Sequence, residues 1–102
     1  MSVELLYIDG CPSWRAADDN LQAALHRVGR SDRVAHRMLV TTEEADAIGF
    51  AGSPTVLIDG RDPFGTPGAA AGLACRVYPT PEGPAGTPTV AQLEAALTAD
   101  AL

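Results

Sequence analysis

Residues 3–8, VELLYI, are almost continuously apolar, and Asp9-Gly10 stops the run. A short segment of this kind, partly β-branched or aromatic, predicts a strand covered on both faces. From Pro12 the period changes. Trp14, Ala17, Leu21, Leu25 and Val28 recur at spacings of three and four, while Arg15, Asp18, Asp19, Gln22 and Arg27 fall largely on the other side. That is an amphipathic helix of about four turns. Pro12 suits its first position, where no amide donor is needed, and Gly29 suits the residue past its end.

Residues 33–40, RVAHRMLV, alternate again and predict a second strand with one wetter face. Thr41 with Glu44 matches a capping box, so a short helix is expected to run to about Ile48 and close at Gly49. Ser53-Pro54-Thr55 leads into a third strand, Val56-Leu57-Ile58, ended by Asp59-Gly60. Residues 60–73 are dense in Gly and Pro and read as a loop, which could be a recognition loop or filler. Cys75-Arg76-Val77-Tyr78 is a candidate fourth strand, forming a hairpin with the third. Thr89 with Gln92 is a second capping box, opening a terminal helix with Val90, Leu93, Ala96 and Leu97 as its apolar stripe. The order is β-α-β-α-β-β-α. It predicts an α/β domain over residues 1–102, with a four-stranded mixed sheet, its first two strands parallel, and helices on both faces.

Composition removes several classes of function. A chain of 102 residues fits one domain, which at this size buries about two-thirds of its unfolded surface without needing a staple. The net charge of −6 argues against nucleic acid as a partner. No run approaches the roughly 18 apolar residues of a membrane span, so no membrane partner is expected. The N-terminus, MSVELLYIDG, has no basic region before its apolar run, so a cytoplasmic location is expected rather than secretion. Two cysteines, Cys11 and Cys75, make neither a disulfide framework nor a zinc pattern. No metal ligands and no cofactor are therefore expected.

Cys11 falls between a strand end and a helix start, in Gly10-Cys11-Pro12-Ser13-Trp14. The first amides of a helix are unsatisfied and its dipole places about half a positive charge there. A thiolate at that place is stabilised, the position is expected to be exposed, and Cys11 is the candidate nucleophile. The bland alternative is a small apolar residue at a helix cap. Amides of Ser13 and Trp14, and the Ser13 hydroxyl, are the expected donors to it. Trp14 also lies on the apolar stripe, so core packing competes with a role in stacking on a substrate. His26 and His36 belong to no motif, and Asp9 suits a turn. If Ile58 pairs near Cys75, then Tyr78 lies at the Cys11 end and Cys75 is about 10 Å away at strand rise. That register makes Cys75 a buried structural cysteine. A shifted register would let it serve as a resolving thiol.

With Cys-Pro opening the first helix and Ser-Pro-Thr before the third strand, the order resembles the thioredoxin and glutaredoxin superfamily. The strings DGCPSW, SPT, DGRDPF and CRVY are similar to small bacterial thioredoxin-family proteins, sometimes labelled alkylmercury lyase. The resemblance implies a cis Pro54 beside the reactive Cys11, and a substrate bound by Pro12, Ser13, Trp14, Ser53, Pro54 and Thr55, with the backbone of Ser53 pairing to it. The chain departs from the dithiol pattern Cys-x-x-Cys, because Trp14 stands at the fourth position. Two mechanisms of thiol–disulfide exchange remain. In one, Cys11 works alone on a mixed disulfide and a low-molecular-weight thiol resolves it. In the other, Cys75 resolves it. The partner in either is a thiol or disulfide, small or carried on a protein. A non-catalytic binding module around Trp14 and Pro54 is the first rival. Soft-metal or organomercurial handling by Cys11 with Cys75 is the second.

Overall fold

The computed structural model describes residues 2–65 and 72–99. Its elements are β1 (Val3–Ile8), α1 (Ser13–Arg27), β2 (Val34–Leu39), α2 (Thr42–Ile48), β3 (Thr55–Ile58) and α3 (Val90–Ala99). The three strands form one mixed sheet in the order β2-β1-β3. β1 runs parallel to β2, with Val3 opposite Val34 and Ile8 opposite Leu39. It runs antiparallel to β3, with Val3 opposite Ile58 and Leu6 opposite Thr55.

The alternation of β1 divides the core in two. Val3 and Leu5 join Val56 and Ile58 beneath Leu21 and Leu25 of α1 and Leu93 and Leu97 of α3. Leu6, on the opposite face, joins Leu39, Ala45 and Phe50, which brings α2 onto that side. Helices thus cover both faces, with α1 packed against α3. Each fully buried leucine contributes on the order of 2 kcal/mol by leaving water. β2 is an edge strand whose middle four residues are exposed, wetter than one alternating face would be.

The helix ends follow local chemistry. α1 begins one residue later than expected, with Pro12 in helical conformation as its cap and no side chain closing the first turn. At its other end the amide of Arg30 reaches the Leu25 carbonyl and that of Gly29 reaches His26. This paired closure requires the positive φ of 76° at Gly29. α2 carries both halves of its capping box, Thr41 with Glu44. Thr89 and Gln92 exchange the same pair of bonds ahead of α3. No helix among the described residues is long and apolar enough to cross a membrane.

The fourth strand is not formed. Residues 75–78 make only isolated bridges, Cys75 to Ser53 in parallel sense and Tyr78 to Ala85 in antiparallel sense. The expected hairpin with β3 is therefore wrong, and the sheet among the described residues has three strands. What replaces it is an irregular strap over the start of β3. Much of the loop expected over 60–73 lies outside the described residues.

Candidate functional site

The register of the sheet brings the site together. Leu6 pairs with Thr55, so the end of β1 and the residues before β3 share one end of the sheet. The Ile8 amide donates to the Ser53 hydroxyl at 3.1 Å, fixing Ser53 beside the turn that carries Cys11. As a thiol, Cys11 donates to the Ser53 carbonyl at 3.6 Å. The Ser53-Pro54 peptide bond is cis.

The strap docks on the same residue. The Ser53 amide donates to the Ala74 carbonyl at 2.7 Å, and the Arg76 amide donates to the Ser53 carbonyl at 2.8 Å. Both backbone groups of Ser53 are thus engaged by the chain itself. Gly52 makes this approach possible. It holds a φ of 122°, and a Cβ there would lie 2.8 Å from the Arg76 Cβ. The result is a contact of 3.0 Å between the Cys75 and Cys11 sulfurs, with Cys75 donating. Both cysteines are free thiols. Cys75 is neither buried nor remote, contrary to the register in which it pairs with Ile58.

Side chains hold the strap on both sides of Cys75. The Arg76 guanidinium donates to Asp62 at 2.6 Å, to the Phe64 carbonyl at 2.7 Å and to the Thr55 hydroxyl at 3.2 Å. It also lies 4.5 Å from the centroid of the Tyr78 ring. The buried Tyr78 hydroxyl donates to the Pro54 carbonyl. Burial holds this phenol far above its ordinary pKa, so it remains a donor. Arg76 and Asp62 are not singled out by the sequence, and Tyr78 is placed at the Cys11 end only through a hairpin with β3 that does not form. The available signals were Gly52, a glycine where two backbones meet, and a single arginine within an otherwise uncharged strand-like run.

The two sulfurs are not equivalent. Burial opposes ionisation of Cys11, but hydrogen bonds from Cys75, the Ser53 side chain, and the Ser13 amide and hydroxyl together lower its pKa. The bond to Cys11, then desolvation, then the neighbouring negative charge raise that of Cys75. When one of the two thiols ionises, Cys11 is therefore the one favoured to lose its proton, with Cys75 donating to it. Exposure is opposite to ionisation: Cys11 is 2% exposed, buried rather than open at the helix start, whereas Cys75 faces solvent.

The remaining residues expected at the site divide. Pro12 is exposed and Ser13 half-buried beside Cys11. Ser13 is also pressed by Gly86, where a Cβ would run into its hydroxyl. Pro54 and Thr55 are buried, and the Thr55 hydroxyl donates to the Gly52 carbonyl at 2.5 Å. Trp14 is engaged by other aromatic rings. It stacks on Tyr7 at 4.3 Å between centroids, with His36 edge-on at 5.8 Å, and packs against the α1 core. His36 is paired with Asp18 at 2.9 Å. Among the described residues no three or more His, Cys, Asp or Glu side chains gather as a metal site. No protein-family model matches this sequence, nor does any curated protein or any solved structure.

Proposed function

We propose that this is a thiol–disulfide exchange protein of thioredoxin-like type, with Cys11 and Cys75 as its working couple. The observation that carries the reading is the 3.0 Å contact between the sulfurs. Closing it to a bond near 2.05 Å requires a movement of only about 1 Å. The two thiols give up two electrons and two protons to a disulfide, which leaves as two thiols. A cysteine at a helix start, a cis Ser53-Pro54 bond in contact with it, and a mixed sheet with helices on both faces support the reading. Cys75 takes the resolving role that Trp14 cannot fill. Without Cys75 the protein would fall back to one-thiol exchange, needing a small thiol or a protein thiol to release Cys11.

Oxidation of the reduced protein by a small disulfide, followed by mass spectrometry of an unreduced digest, tests this. The expected product is one peptide pair joined through Cys11 and Cys75, absent in Cys11→Ser. Recovery of both cysteines free, or of each carrying its own adduct, would sink the couple.

A second reading rests on the same distance. Two thiolates with bonds near 2.3 Å can clasp one soft cation after a small opening of the pair. Titration with mercuric ion would then give a thiolate-to-metal absorption band at one equivalent, lost in Cys75→Ser.

A further inference from the structure

The sulfur with the lower pKa is not the sulfur that solvent can reach. Cys11 is 2% exposed, enclosed by Ser53, Ser13 and the strap. Cys75 is exposed and borders a cavity of about 410 Å³, walled by Ala51, Phe64, Val77 and Tyr78. Cys11 does not line that cavity. Thiol–disulfide exchange depends on access and on which sulfur is attacked as much as on ionisation. The arginine in the cavity wall is already bound to Asp62, Thr55 and the Phe64 carbonyl, so recognition there rests on shape and on sulfur, not on charge.

We propose that Cys75, not Cys11, is the sulfur that meets the outside partner, a low-molecular-weight disulfide seated in this cavity, and that Cys11 acts behind it as base and resolving thiolate. The inference rests on the exchange function proposed above and inverts the order in which its cysteines are used. Cys75 passes its proton across the 3.0 Å contact to the Cys11 thiolate while its own sulfur attacks the disulfide RSSR. One S–S bond forms between Cys75 and R–S, the S–S bond of RSSR breaks, and RS⁻ departs, taking the proton from Cys11. The Cys11 thiolate then attacks the Cys75 sulfur of the mixed disulfide. The internal bond forms, the second RS⁻ leaves, and it takes a proton from water. The two cysteines are oxidised by two electrons and RSSR is reduced to two thiols. In the reverse direction an external thiolate attacks Cys75, and Cys11 is expelled. The lower-pKa thiol is the better leaving group, so that direction is favoured kinetically at the same sulfur.

The test uses 2-hydroxyethyl disulfide as the probe, at a pH where both thiols are ionised. Cys11→Ser, which cannot resolve, is expected to collect the probe on Cys75. Cys75→Ser is expected to acquire it on Cys11 at least about tenfold more slowly, because that sulfur is enclosed. In the wild-type chain, acid quenching during reduction of the internal disulfide by 2-mercaptoethanol should trap the adduct on Cys75. This measurement needs no variant. Val77→Trp, at an exposed position on the cavity rim, should slow capture about fivefold by narrowing the seat. An adduct trapped on Cys11 in the wild-type chain, or faster capture by Cys75→Ser than by Cys11→Ser, overturns the inference and leaves the couple standing. Failure of the internal disulfide to form at all overturns both. Unchanged capture in Val77→Trp overturns the cavity as the seat.

Discussion

The two cysteines reach one another by different kinds of structural determination. Cys11 is placed by local devices: a buried strand ends at Asp9-Gly10 and a helix with uncapped first amides begins just after Pro12. Each is a property of a few consecutive residues. Cys75 is placed by long-range bonds. Its strap has no ladder, only isolated bridges from Cys75 to Ser53 and from Tyr78 to Ala85. It is held instead by Arg76 on Asp62, Tyr78 on Pro54, and the room that Gly52 leaves. A frame built on local periodicity thus carries a second thiol whose position depends on a handful of long-range contacts. The frame fixes Cys11, and the strap fixes how often the second sulfur is within reach.

Damage to the frame should have the largest effect and should not discriminate between the sulfurs. Leu21 is fully buried between α1 and the sheet. Leu21→Ala should cost about 3 kcal/mol, from lost transfer energy plus a cavity. In urea unfolding the midpoint should fall with the slope unchanged, and both thiols should become reactive together in the same transition. Separate transitions for Cys11 and Cys75 would show that the strap does not fold with the core.

Damage to the strap should be smaller in energy and selective. The Arg76 side chain is 9% exposed and its partner Asp62 is 17% exposed. Arg76→Ala removes that pair and two further hydrogen bonds and leaves Asp62 without its guanidinium, at a cost of about 2 kcal/mol. The helix signal should remain. Formation of the Cys11–Cys75 bond, followed by mass spectrometry, should slow about tenfold as the strap spends more time away from Ser53. An unchanged rate would mean that the backbone bridge alone positions Cys75, and the contrast between the two regions would fail.

This difference also explains what the sequence could and could not disclose. β1 matched its expected bounds, β2 and β3 matched within a residue at either end, and α2 and α3 matched with their capping boxes, because periodicity and caps are written in neighbouring residues. Cys11 beside Ser13 was legible for the same reason. The segment 75–78 carries β-forming residues and read as a strand against β3, yet its register is set by contacts 12 to 24 residues away in the chain. No alternation of polar and apolar positions encodes a guanidinium meeting Asp62 or a phenol meeting a carbonyl beside a proline. The burial of Cys11 was missed by the same route, since the strap that covers it was assigned elsewhere. Trp14 illustrates an ambiguity rather than a miss. Its stripe position and its helix-start position pointed to two roles, and the structure shows it stacked on Tyr7.

The smallest effect, and the one that separates the sulfurs most directly, is in their protonation. Cys11 is shifted below the ordinary thiol value, with burial outweighed by donors from Cys75, Ser53 and Ser13, while its bond to Cys11 and desolvation shift Cys75 above it. Site-resolved alkylation by iodoacetamide against pH should therefore give two inflections on opposite sides of the value for an unfolded chain, the lower at Cys11. Stability follows with opposite signs. Cys11, lowered on folding, contributes stability that is complete above the unfolded thiol value and is lost as pH falls through its folded value. Cys75, raised on folding, subtracts stability once pH climbs past the unfolded value. The contribution of the reduced pair should rise with pH up to the ordinary thiol range and decline beyond it. In Cys75→Ser the unfolding free energy, measured across that range, should lose the declining limb entirely and part of the rising limb, because Cys75 is also a donor to Cys11. Two coincident inflections would show no preference between the sulfurs, and a Cys75 that ionises first would place the proton on the buried one; either outcome removes the distinction between the buried and the exposed thiol.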